Sequence, residues 1–260
     1  MSVDFASVTN ITIPEGEAVK ILDTNGTTLW KKYAVDSLAT SSWAEISEIS
    51  KAGDAAGMFS IGDVKDISVN GVSYSAHIIG FDHDTPVDIS AYGRNKVGIT
   101  FQLVDCLGTK YPMENKRLKM NNWSDSSMRT SVMSNIFNNL TSELQNVIVT
   151  VRKTSAKNSN GEIVTTPDNC FLLSEFEVWG ENQWSTNTPG ETQYDFYVNG
   201  NSKIKSINGT ASTWLLRSRD FYENHNVILG YNNYCSVNAT GNYDYSRGND
   251  SGGVSFCFCV

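Results

Sequence analysis

The sequence predicts an α+β fold of two helices, many short strands and long loops, and three observations lead to it. Apolar residues recur at helical spacing in two stretches only, around Trp43 and around Val132. Elsewhere the apolar residues fall in short runs bounded by Gly, Asn, Asp and Ser, the pattern of strands joined by turns. Asparagine supplies about a tenth of the chain, and it favours turns and left-handed backbone over regular structure. At 260 residues, 40% hydrophobic, the chain can bury a sizeable core.

Residues 1–34 read as a separate β module. Val19 to Leu22 and Leu29-Trp30 flank Asp23-Thr24-Asn25-Gly26, and Asn-Gly is a tight hairpin turn. Two strands alone are marginal in water, so the module either serves attachment or oligomerisation or is a plain N-terminal hairpin. The main domain spans residues 41–260. Ser42 and Glu45 form a capping box, and Trp43, Ile46 and Ile49 share one face of a helix ending near Gly53. Phe59–Ile61, Asp66–Val69 and Val72–Phe81 read as strands, with Asn70-Gly71 as a turn, and Gly98–Val104 continues the pattern. A second helix is expected over Ser127–Leu140, where Met128, Val132, Met133, Ile136 and Leu140 make the stripe. Val147–Val151, Phe171–Leu173, Trp214–Ser218 and Val254–Val260 are further strands. The last of these must be buried on both faces.

Composition excludes several functions. A net charge of −8 argues against nucleic acid, whose binding needs a concentrated basic face. No apolar run is long enough for membrane insertion. The opening M-S-V-D-F-A-S-V-T-N has neither a basic stretch nor an apolar centre, so no secretory signal is expected. Five cysteines without C-x-x-C spacing suggest neither a disulfide framework nor a zinc site.

Between the Trp214 strand and the last strand lies a segment of Asn, Tyr, Asp, Ser and Gly, the composition of binding loops. The candidate ligand contacts there are Tyr222, Asn224, Asn226, Tyr231, Asn232, Asn233 and Tyr234. Asn242, Tyr243, Asp244, Tyr245 and Asn249 continue the set. A phenol ring beside amides can stack on a sugar face or fill a protein pocket while the amides read hydroxyl or backbone groups. Some of the five tyrosines would instead fold back onto the domain.

Several local runs, in order, resemble a known group. They are I-I-G-F-D-H-D at Ile78–Asp84, T-F-Q-L-V-D at Thr100–Asp105, S-S-M-R at Ser126–Arg129, F-L-L-S-E-F-E-V-W-G at Phe171–Gly180, W-L-L-R-S at Trp214–Ser218 and G-V-S-F-C-F-C-V at Gly253–Val260. Together they resemble the C-type-lectin-like domain of unknown function found in phage tail proteins and surface proteins of Gram-positive gut bacteria. The resemblance implies a C-type-lectin-like fold of small mixed or antiparallel sheets whose ligand surface precedes the final strand. The tyrosine-rich segment is similar to that of variable proteins of diversity-generating retroelements, of the phage major tropism determinant type. It implies a non-enzymatic receptor-binding protein of the phage tail tip, carried on the virion and acting outside the cell. The ligand would be a bacterial surface glycan or protein. Residues 1–34 would meet other tail proteins, and the chain would form a homo-oligomer, by resemblance a trimer. A structural tail or baseplate component, a formylglycine-generating-type enzyme and a carbohydrate-active enzyme are the alternatives.

Candidate chemistry outside that segment is sparse. Asp82 and Asp84 flank His83 and would suit calcium, yet a polar corner with capping carboxylates explains them as well. Cys257 and Cys259 share a face of the final strand, as an oxygen-activating pair would, but in that apolar run they read as core residues. Among His77, His83 and His225 none accompanies a nucleophile motif. Glu175 and Glu177 alternate along a presumed strand as glycosidase carboxylates might, or as a solvated face. Arg217 is expected in a structural hydrogen-bond network.

Overall fold

The computed structural model describes residues 19–22, 28–32, 37–115, 122–222 and 233–260. Strands β1 (Val19–Leu22) and β2 (Thr28–Lys32) pair antiparallel, with Ile21 opposite Trp30, so the N-terminal hairpin forms. Its Asn25-Gly26 turn lies outside the described residues. Helix α1 (Trp43–Ala52) begins with the expected reciprocal capping box of Ser42 and Glu45 and ends at Gly53, whose φ of 84° only glycine adopts at little cost. Helix α2 (Ala55–Met58) follows, and it overturns the strand expected at Phe59–Ile61. There the chain leaves α2 through a turn, with the Phe59 amide donating to the Ala55 carbonyl.

Strands β3 (Val64–Val69) and β4 (Val72–Phe81) form a hairpin around Asn70-Gly71, where φ is 50° and 77°. After the short helix α3 (Ile89–Tyr92) come β5 (Ile99–Leu103) and β6 (Tyr111–Pro112). The second expected helix is split: Met128–Met133 is π-helical and α4 (Ser134–Asn138) continues it. The wider π turn puts Met128 and Met133, five apart, both in the core. Helix α5 (Ser142–Gln145) and the turn after it precede the strand expected at Val147–Val151, of which only Val151 is regular.

A hairpin of β7 (Val151–Ala156) and β8 (Ile163–Asp168) precedes β9 (Cys170–Phe171). Next come helices α6 (Glu175–Trp179) and α7 (Asp195–Val198), then the hairpin of β10 (Lys205–Ile207) and β11 (Thr210–Ser212). Strands β12 (Trp214–Arg219), β13 (Asn233–Val237), β14 (Tyr243–Arg247), β15 (Ser251–Gly252) and β16 (Cys257–Cys259) close the chain. The element at Glu175–Glu177 is thus a helix, not a strand. Ser174 and Glu177 cap each other there, and Gly180 stops the helix at φ 75°. More than two helices form, the additional ones being single turns.

The main sheet runs β3-β4-β5-β16-β9, every pair antiparallel, so the end of the chain is inserted between two earlier strands. Register sorts its two faces. Ile78, Phe101, Phe258 and Cys170 align across one face, where Trp43 of α1 meets Phe101 and Phe258 edge-on at 5.5 and 5.9 Å. His77, Gln102, Cys257 and Phe171 align across the other. A bulge after Ile78 then sets Gly80 opposite Thr100. A Cβ at Gly80 would stand 2.8 Å from the Tyr194 ring, so only glycine lets that ring lie on the sheet. Both faces are covered, which is why all of β5 and β16 are buried. A second sheet, β12-β13-β14, is antiparallel, with β14 at its edge. The molecule is therefore α+β with small, mostly antiparallel sheets.

Candidate functional site

The tyrosine-rich segment makes two of the three strands of the second sheet, and the strand pleat separates its residues. On β13, Asn233 and Tyr234 are buried, and the Tyr234 hydroxyl donates to Glu114 Oε1 at 3.3 Å. These two belong to the interior, since every residue of β13, on both faces, is buried. The structure thus places in the interior two residues that the sequence reading has among the ligand contacts. Asn224, Asn226, Tyr231 and Asn232 lie outside the described residues, as does His225.

On the edge strand β14, Tyr243 and Tyr245 project to one face and Asp244 to the other. Tyr243 stacks on Trp179 with ring centroids 4.0 Å apart and planes 19° from parallel. Trp184 meets Tyr243 and Tyr245 edge-on at 6.0 and 5.9 Å. The Tyr243 hydroxyl donates to Glu181 Oε1 at 2.8 Å, and burial together with that carboxylate pushes its pKa up. Tyr245 remains 39% exposed, while Tyr243, Trp179 and Trp184 are half-buried and the two tryptophans also pack against the core. Tyr222, 44% exposed, ends the described chain after β12. Asn242 is exposed at the start of β14, its amide donating to Thr240, and Asn249 is half-buried beyond its end.

Trp179, Glu181 and Trp184 are the members of this face that sequence reasoning missed. Their signal was W-G-E-N-Q-W at Trp179–Trp184, two tryptophans in a polar stretch beside a helix end. Helix α6 places the first. Glu175, wholly buried on α6, places the second, its carboxylate accepting from the amides of Trp184 and Ser185 and from the Ser185 hydroxyl. Glu175 is thus a structural anchor, not a solvated face.

Beneath the 181–194 loop lies a chain of buried charges. Lys153 Nζ donates to Asp84 Oδ1 at 2.8 Å, Glu177 Oε1 at 2.6 Å and the Tyr194 hydroxyl at 3.2 Å. Arg217 grips both oxygens of Glu177, reaches Glu191 Oε1 at 2.6 Å and donates to the Leu172 carbonyl, the structural network expected of it. Burial favours neutral Asp84, but Lys153 and His83 hold its carboxyl well below the usual range. Burial likewise opposes an ionised Glu177, and Arg217 with Lys153 brings it down to about 2. Glu191 goes the other way: burial raises its pKa more than Arg217 lowers it.

Asp82 and Asp84 are not brought together. Asp82 is exposed and paired with Arg94 at 2.9 Å, whereas Asp84 faces Lys153 inside. Each carboxylate thus already faces a cation where calcium would need oxygens. Among the described residues no cluster of three His, Cys, Asp or Glu side chains could hold a metal. All five cysteines are free and buried. Cys257 and Cys259 share a face as expected, and burial raises both thiols well above their ordinary pKa. His77 is buried edge-on to Phe196, and burial with Lys205 nearby lowers its pKa to about 3. Among the described residues no helix is long and apolar enough to cross a membrane.

The fold and this face define an α+β protein carrying an aromatic surface on a sheet edge. Residues 96–260 match the domain of unknown function DUF6273, and the chain belongs to that family. No match is found among curated proteins or solved structures. The matched region starts between β4 and β5, two strands paired in one sheet, so the structural unit extends upstream of it to include α1.

Proposed function

We propose that this chain is a non-enzymatic binding protein that recognises a bacterial surface glycan through the aromatic face of β14. The observation that carries the reading is the Tyr243–Trp179 stack flanked by Trp184 and Tyr245 at a partly exposed strand edge. Flat rings packed against one another are pre-ordered, so stacking on a sugar costs little side-chain entropy. Glu181 and Asn242 supply polar groups at the margin. The tail-tip, virion-borne and oligomeric placement rests on the sequence resemblance, and the N-terminal hairpin of β1 and β2 suits an attachment role. Burial of Cys257 and Cys259 supports reading them as core residues rather than an oxygen-activating pair.

A microarray of bacterial glycans probed with the full chain tests the proposal. Selective binding to one glycan class, lost in Tyr245→Ala, is the expected result. Equal retention by Tyr245→Ala and Tyr222→Ala, or binding to no glycan on an array from the natural host, would overturn it.

A further inference from the structure

A second concave site lies away from the β14 face. It is a solvent-open cavity of about 270 Å³ between the β7–β8 hairpin, the turn after β4 and the 189–192 stretch. That volume sits just below the roughly 300–1,000 Å³ of drug-sized ligand pockets, so an occupant would have few heavy atoms. Its lining is charged and hydroxylated rather than apolar: Thr85, Thr154, Thr165 and Thr192 stand among the ionised groups.

The charges are segregated. In the wall, the carboxylates of Asp84, Glu177 and Glu191 face Lys153, Arg217 and the imidazole of His83, a local excess of one negative charge when the carboxylates are ionised and His83 is neutral. Glu191 is the carboxylate left with the weakest compensation, since Arg217 shares itself with Glu177. At the mouth, Lys96 and Arg152 are exposed, and neither pairs with a carboxylate among the described residues. Lys96 Nζ donates to the His83 carbonyl and Arg152 Nη2 to that of Val87, so both keep donors to offer.

From this arrangement we infer that the cavity binds a small zwitterion, of the class of a free α-amino acid. Its ammonium is directed to the Glu191 side and its carboxylate to Lys96 and Arg152. Either charge alone meets one favourable and one unfavourable end, whereas both together satisfy the two ends at once. Four threonine hydroxyls supply neutral hydrogen bonds around the middle of the ligand. The site does not depend on the glycan-binding reading, which concerns other side chains.

Isothermal titration of the full chain with the proteinogenic L-amino acids tests this, with methylammonium, acetate and inorganic phosphate as single-charge probes. At least one amino acid should bind at millimolar concentration or tighter, and each single-charge probe at least tenfold more weakly. Glu191→Gln, nearly isosteric, should weaken binding tenfold or more. Arg152→Ser, at an exposed position, should do the same without shifting the melting temperature, which separates lost binding from lost folding. Binding of no amino acid would overturn the inference. So would acetate or phosphate binding as well as the best amino acid, which would make the cavity a plain anion site, or unchanged affinity in Arg152→Ser.

Discussion

Replacing Lys153 by methionine should destabilise the protein by about 3–5 kcal/mol at neutral pH, the range for removing one partner of a buried ion pair. The magnitude follows from the surroundings. Lys153 is 3% exposed and its ammonium is the shared partner of Asp84, Glu177 and the Tyr194 hydroxyl. Methionine fills a similar volume, so the loss is electrostatic rather than a cavity. Asp84 would keep hydrogen bonds from Thr100 and Tyr194 but lose the ammonium, which leaves the imidazole of His83 as its basic neighbour among the described residues. For a chain of this size the change corresponds to a fall in Tm of roughly 6–20 °C. The sign of the pH dependence is fixed too. In the parent protein both carboxyls are held below their unfolded values, so they contribute stability above those values and lose it as pH falls. Without Lys153 they titrate higher, so the gap between variant and parent should narrow from pH 7 to pH 4. Thermal unfolding followed by circular dichroism at both pH values measures this, with Lys157→Met, in an exposed pair with Glu162, as the control expected to change nothing. A Tm within 2 °C or so of the parent, or a deficit independent of pH, would refute the reasoning.

Other outcomes follow from the same contacts. Glu177, brought from 4.5 to about 2, should cost the fold on the order of 3 kcal/mol as pH falls across that interval; urea midpoints against pH would show it, and a flat profile would not fit. The five buried thiols should react slowly with a disulfide reagent in the native protein and completely in denaturant, whereas a fast native thiol at Cys257 or Cys259 would favour the enzyme alternative. Tyr234→Phe should lower stability by about 0.5–1.5 kcal/mol through its hydrogen bond to Glu114 and leave ligand binding unchanged, in contrast to Tyr245→Ala.

Local signals were legible in the sequence and distant ones were not. The Ser42 capping box, the Asn70-Gly71 hairpin and the two-faced burial of the last strand each depend on neighbours in the chain, and the structure has all three. The Ser174 capping box is equally local, but the apolar Phe171–Leu173 run before it reads as a continuing strand, which puts Glu175 and Glu177 on a strand where the structure has a helix. Tyr234 looks exposed because its neighbours are polar, yet both faces of β13 are buried and its hydroxyl reaches Glu114 inside the molecule. The charge chain joins Asp84, Lys153, Glu177 and Arg217 across segments far apart in sequence. No spacing rule reaches that far, and Lys153 sits in an unremarkable V-R-K-T run. The aromatic face was half visible: β14 supplied its tyrosines, while the tryptophans that order them come from the end of α6 and the loop beyond.

The central claim, that the β14 face binds ligand, is tested most directly by a binding isotherm of the full chain on intact host bacteria. The parent would be compared with a Tyr243→Ala, Tyr245→Ala variant shown to be folded by its circular dichroism. Losing an aromatic hot spot costs on the order of 2 kcal/mol, so the account predicts a loss of at least about thirtyfold in affinity. Parent-like binding by the folded variant would contradict it and move the ligand surface elsewhere on the molecule.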